Sequence, residues 1–125
     1  MPKKLLIMLL NVDCSKPHRL GAPFFQAAAA AALDYEVSMV MTADAGLLMK
    51  KGYAERLRVK EGSPKTVYDF IKDAHRAGVK MYLCTPTLEL HDLQPEDLIP
   101  ECDDVMGGVA FIERVMDEDT RVLTY

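Results

Sequence analysis

The feature that most constrains this chain is Leu5–Leu10, six consecutive large apolar residues (LLIMLL) with no polar interruption. A strand with one face in water alternates apolar and polar residues. A near-continuous apolar run marks a strand covered on both faces, as in a parallel sheet flanked by helices. The run is far too short to cross a bilayer. Lys3 and Lys4 precede it and give it a faint likeness to a signal peptide. Asn11 and Asp13 follow with no small-residue cleavage site, so a buried strand over Lys4–Asn11 is the better reading.

The rest of the chain alternates strand and helix signals. Residues 20–33 read as a helix, with Ala27–Ala32 of high helix propensity and Pro23 in the first turn, where a missing N–H costs nothing. That helix has almost no polar face, so it is expected to meet the sheet on one side and a second subunit on the other. Strands are expected at Glu36–Thr42, Leu57–Val59, Val79–Cys84 and, at an edge, Arg121–Tyr125. Ala43–Lys51 reads as a helical turn closed by Gly52. Ser63-Pro64 reads as a cap and first helical residue for a helix with an apolar stripe at Val67, Phe70, Ile71 and Ala74, ended by Gly78. Thr85–Pro95 reads as a loop broken by Pro86, and Asp97–Pro100 as a turn. Asp103 or Asp104 is expected to cap a last helix with Val105, Val109, Ile112 and Met116 on one face and Gly107-Gly108 inside it. Strand–helix alternation implies right-handed crossovers and a mainly parallel sheet of about five strands with helices on both faces. With 125 residues and no repeat or linker, residues 1–125 form one domain. A chain of this size buries roughly two-thirds of its unfolded surface and needs no staple.

The net charge is −4 and no basic run interleaved with aromatics occurs, which argues against nucleic acid and anionic membranes as partners. The three cysteines, Cys14, Cys84 and Cys102, form no CxxC or zinc-type spacing. With no export signal, a reducing cytoplasm and free thiols are expected.

In open α/β sheets, sites gather beyond the carboxyl ends of the strands. Three loops qualify, supplying Asp13, Cys14, His18, Asp44, Cys84, Thr85 and His91. Cys84 stands out as the last residue of its strand, where its sulfur can reach the crevice; the alternative is a small apolar residue finishing a buried strand. Cys14 follows the first strand and is a possible second thiol, or an incidental loop cysteine. Cys102 lies beside Asp103 and Asp104, whose charges oppose a thiolate. His18 and His91 read as solvated surface residues. Asp13 and Asp44 read as caps or solvated loop residues, because no acidic pair or strand-end lysine completes a phosphoacceptor pattern. Met8, Met39, Met41, Met81, Met106 and Met116 read as core filler. The chain has no glycine-rich phosphate loop and no serine elbow.

Four stretches in this order, KLLIMLLN, TADAGLLMKKG, AGVKMYLCTPT and VMGGVAFIERVM, resemble the DsrE/DsrF-like family of small sulfur-handling proteins over nearly the whole chain. The resemblance implies a three-layer α/β/α domain and a homo-oligomer, trimer or hexamer. It implies that the strand-end cysteine, Cys84, carries sulfane sulfur as a persulfide and exchanges it with TusA-like carrier proteins, in sulfur oxidation or tRNA thiolation, with no metal or organic cofactor. Cys14 and Cys102 have no clear counterpart in that family. Two other readings stay open: a thiol redox protein cycling a Cys14–Cys84 disulfide, and a non-catalytic oligomeric binding module.

Overall fold

The computed structural model describes residues 3–125. Five strands form one sheet in the order β4-β3-β2-β1-β5, with every neighbouring pair parallel. The strands are β1 (Lys4–Leu9), β2 (Glu36–Met41), β3 (Lys80–Cys84), β4 (Asp104–Met106) and β5 (Thr120–Thr124). The helices are α1 (Gly21–Ala32), α2 (Val67–Arg76), α3 (Thr85–Leu90) and α4 (Gly108–Val115). None of the described helices is long and apolar enough to cross a membrane.

Chain direction decides which face each helix covers. The chain steps from β1 to β2, β3 and β4 in one direction, then returns across the sheet to place β5 beside β1. Right-handed crossovers put the connections of the first three steps on one face and that of the return step on the other. Accordingly α1 and α2 pack together on one face. Leu83 of β3 and Leu88 of α3 join the apolar cluster there. The return helix α4 lies on the opposite face, where its Phe111 and Val115 meet Leu6, Val40 and Met106. Alternation along β1 follows: Ile7 and Leu9 belong to the α1/α2 core and Leu6 to the α4 side, so both faces of Leu5–Leu10 are used.

Several sequence expectations need correction. Leu57–Val59 is not a strand. β2 and β3 pair directly, leaving no vacancy between them, and the segment is a loop whose Arg58 Nε donates to the Ser63 carbonyl at 2.6 Å. The fifth strand is instead β4, from residues read as the start of the last helix. Asp103 and Asp104 therefore cap nothing: Asp103 bonds the Met81 N–H at 2.8 Å, and Asp104 opens β4. Val105 pairs with Leu83 in the sheet and is not on the helix stripe. Gly107 is the cap residue of α4 and Gly108 its first residue, so the pair carries no mid-helix cost. Ser63-Pro64 does not open α2. Thr66 does, because Thr66 and Asp69 satisfy each other's N–H groups in a capping box (2.8 and 3.3 Å). The Thr66 backbone N–H, the larger influence, holds the Asp69 carboxyl below its ordinary value. Ser63 accepts from the Lys65 N–H instead. Residues 85–90 are not loop: Pro86 sits in the first turn of α3, where proline is tolerated. The turn read at Asp97–Pro100 is a 3-10 turn over Pro95–Asp97. Met116 is 74% exposed and fills no core.

Candidate functional site

Adjacent strands whose outgoing connections leave on opposite faces open a crevice between their carboxyl ends. Here those strands are β3, which leads into α3 on the α1/α2 side, and β4, which leads into α4 on the other. Cys84 is the last residue of β3 and pairs in register with Met106, the last residue of β4. The thiol therefore stands at the carboxyl edge of the sheet, where the outgoing connections change face.

Two helices begin there. Cys84 is the cap residue of α3 and Gly107 that of α4, and no side chain caps either helix. The place where a Cβ on Gly107 would stand lies 4.0 Å from Thr85 Oγ1, so the two starts are neighbours. First-turn N–H groups left without a side-chain cap are open to an acceptor from outside the helix. Cys84 is half-buried, beside Tyr82, Phe111 and Val115 around the small cluster of Leu6, Val40 and Met106.

The other two thiols are placed differently. Cys14 lies in the turn after β1 with its side chain buried in the α1/α2 core, its Sγ 3.7 Å from the Asp44 carbonyl. Burial, reinforced by the Asp44 and Asp13 charges, pushes its thiol up; a bond to Tyr53 opposes this only in part. Cys102 is also packed against that core, and burial first, then Asp103, pushes its thiol up to about 11. Cys14 and Cys84 thus belong to clusters on opposite faces. A disulfide needs its Cα atoms about 4.4–6.8 Å apart, so joining the two requires the core to open.

The loop after β2 supports the site from the α3 side. Ala43 has φ 54°, the left-handed region that costs a non-glycine residue about 1–2 kcal/mol. It is held there from both sides: its N–H donates to Thr87 Oγ1 at 3.2 Å, and His91 Nε2 donates to its carbonyl at 3.0 Å. His91 is therefore a tether between α3 and this loop, not a solvated residue. Gly46 completes the contact, because a Cβ there would collide with the Thr87 side chain. Asp13 accepts from the Ser15 N–H and hydroxyl, which hold its carboxyl below the ordinary value, and it serves the loop turn. Asp44 is exposed, with its Oδ1 3.7 Å from His91 Nε2. Among the described residues, no three His, Cys, Asp or Glu side chains converge to hold a metal.

Gly107, Gly108 and Thr85 flank the cysteine without having been singled out as a group. The signal was available in Gly107-Gly108, but it reads as helix interior until β4 is recognised.

A family model of DsrE/DsrF/DrsH-like proteins matches residues 45–123. No curated protein matches the chain. Among solved structures, the chain is similar to MTH1491 from Methanobacterium thermoautotrophicum, a protein of unknown function. The TM-score is 0.70 and the identity 16%, over 98% of both chains. It is similar also to the ychN protein from E. coli, with TM-score 0.69 and 17% identity over 100% of both chains. These likenesses establish the α/β fold, and the family match spans more than half of the sequence, including Cys84, α3 and α4. The chain belongs to the DsrE/DsrF/DrsH-like family.

Proposed function

We propose that the protein is a cytoplasmic sulfur carrier that holds sulfane sulfur as a persulfide on Cys84 and exchanges it with a TusA-like carrier. The observation that carries this reading is the position of Cys84 at the carboxyl ends of β3 and β4, beside two helix starts without side-chain caps. Family membership supplies the sulfur-relay context. The chemistry is thiol exchange without net oxidation. The Cys84 thiolate attacks the outer sulfur of a donor R–S–SH, forming Cys84–S–SH and releasing R–S⁻. An acceptor thiolate then attacks the outer sulfur, takes it as R′–S–SH, and Cys84 leaves as thiolate. No cofactor enters either step.

The protein acts as a homo-oligomer in this reading, associating through the outer side of α1. Phe25 and Leu33 are 70% and 71% exposed, and Leu33 lines a groove of about 500 Å³ with Leu5, Gln26, Ala29, Ala30 and Tyr35, closed by Lys4 and Arg121. An apolar patch of this kind is unusual on a monomer. Light scattering should give a mass several times 14.0 kDa.

Incubation with polysulfide followed by mass spectrometry tests the carrier. Wild type should gain steps of about 32 Da, each one sulfur atom. Cys84→Ser should gain none and transfer none, while Cys14→Ser and Cys102→Ser retain both. A folded Cys84→Ser that still loads and transfers sulfur removes the assignment. A loss of two hydrogens in wild type, with Cys14→Ser and Cys84→Ser equally inactive, installs the redox reading in its place.

A further inference from the structure

We propose that the outer face of α4 is the docking surface for the protein that exchanges sulfur with Cys84, a small thiol-bearing carrier whose thiol is surrounded by apolar and basic side chains; this rests on the sulfur-carrier reading of Cys84. Val109, Ile112 and Met116 recur at helical spacing on that face and are 77%, 56% and 74% exposed. Their uncovered stripe begins two residues beyond Gly107, which adjoins Thr85 and follows the residue paired with Cys84. From Val109 to Met116 the helical rise gives about 10 Å, a span that a small partner can cover while reaching the thiol.

Charge selects the kind of partner. Residues 104–119 hold five carboxylates, Asp104, Glu113, Asp117, Glu118 and Asp119, against one cation, Arg114. Arg114 is turned onto the sheet, donating to Ser38 Oγ at 3.3 Å with its guanidinium 4.9 Å from the Tyr82 ring centre. Asp117 is paired with Lys4 at 3.3 Å, at the end of α4 away from Cys84. Glu113, one residue from Ile112 on the helix, and Glu118 and Asp119 beyond its end are exposed, so the stripe is flanked by carboxylates alone once Arg114 and Asp117 are engaged, and it complements an apolar surface flanked by basic side chains. A second copy of this chain fits poorly. Two α4 faces brought together oppose their carboxylates, and the whole chain carries −4. The α1 segment Gly21–Ala32, by contrast, contains no charged residue, and the groove beside it is lined by Lys4 and Arg121 and no carboxylate, so self-association there sets no carboxylates against each other.

The test separates docking from sulfur chemistry. Binding of a TusA-like carrier with its own cysteine replaced by serine is measured by fluorescence anisotropy. Ile112→Glu and the pair Glu113→Lys/Glu118→Lys are compared with wild type, with circular dichroism as the folding control. Each variant should weaken binding about tenfold or more, and wild-type binding should weaken with salt. Discharge of loaded Cys84 by cyanide, which needs no docking surface, should be unchanged in both variants. Carrier affinity equal to wild type in the folded variants overturns the proposal, as does a wild type that does not bind. A smaller assembly for Ile112→Glu in light scattering also overturns it, because a second copy then covers the stripe. Intact carrier binding that both variants weaken, combined with a Cys84 that never loads, supports the docking surface and removes the sulfur-carrier reading.

Discussion

The two faces of the sheet are built to different standards. The face under α1 and α2 holds a continuous cluster of buried residues that includes Ile7, Phe24, Met39, Ile71 and Met81. The face under α4 holds three, Leu6, Val40 and Met106. On this second face an eight-residue helix, none of whose residues is fully buried, carries the chain from one edge of the sheet to the other. Burial of apolar surface drives folding, so the first face supplies most of the stability. The second is left thin, and Cys84 lies on it. The division puts the larger core and the strand-end thiol of Cys84 on different sides of one sheet.

Truncations on the two faces give the largest contrast. Phe24 is 1% exposed in the α1/α2 core, and Phe24→Ala should cost about 3–5 kcal/mol in lost transfer energy and a residual cavity. Ile112→Ala, on the outer side of α4, should change stability by no more than about 0.5 kcal/mol. Urea denaturation of both variants checks this. Comparable losses would break the comparison, because α4 would then be part of the stabilising core or of a buried interface.

Legibility in the sequence follows the same division. On the thick side the apolar run of β1, the alanine helix α1, the stripe of α2 and the strand ending at Cys84 were all readable, because each is long enough to show its periodicity. The strand count came out right with one member wrong. Asp104–Met106 has only three residues, too few for a period, and the glycines after it resemble a helix interior. Leu57–Val59 has the alternation of a strand, but its apolar residues cap the core from a loop; Val59 packs against Gly21. The strand-end position of Cys84 was legible because the apolar run before it breaks there. Its surroundings were not, because they depend on β4 lying beside β3, a pairing between segments about twenty residues apart. Proline and histidine misled for a related reason. Pro86 reads as a breaker until the helix it starts is seen, and His91 reads as surface until Ala43 is found against it.

A smaller effect is expected where the thick face supports the thin one. Gly46 admits no Cβ, because the Thr87 side chain fills that space and Leu83 Cδ1 lies 3.0 Å away. Thr87 is 2% exposed and engaged with the Ala43 N–H, so it cannot turn aside without releasing strained backbone. Gly46→Ala should destabilise by about 1–3 kcal/mol, as overpacked cores do. It should also disturb α3 and, through it, the position of Cys84. Reduced persulfide loading in variant protein that circular dichroism shows to be folded would sharpen the comparison, by showing that the core holds the reactive residue in place. Unchanged stability and loading would show that this contact supports neither.

The smallest effect concerns the thiols themselves. Burial, with Asp103 next, pushes Cys102 from its ordinary 9.0 up to about 11. The unfolded chain therefore releases this proton at lower pH than the folded chain. The stability contributed by the protonated thiol is whole below 9.0 and is lost progressively as pH rises toward about 11. Cys102→Ser removes the group that titrates, so its urea midpoint should fall less steeply across that interval than the midpoint of wild type. Tyr68, pushed up to about 12 by burial and then by Glu101, adds the same downward slope to both proteins and cancels in the difference. The difference should be small, because Cys102 is only partly buried and solvent screens the Asp103 charge. Its sign is what matters. A steeper fall in the variant would mean that the folded protein favours the Cys102 thiolate. The separation between a cysteine held as thiol on the thick face and the strand-end cysteine on the thin face would then fail.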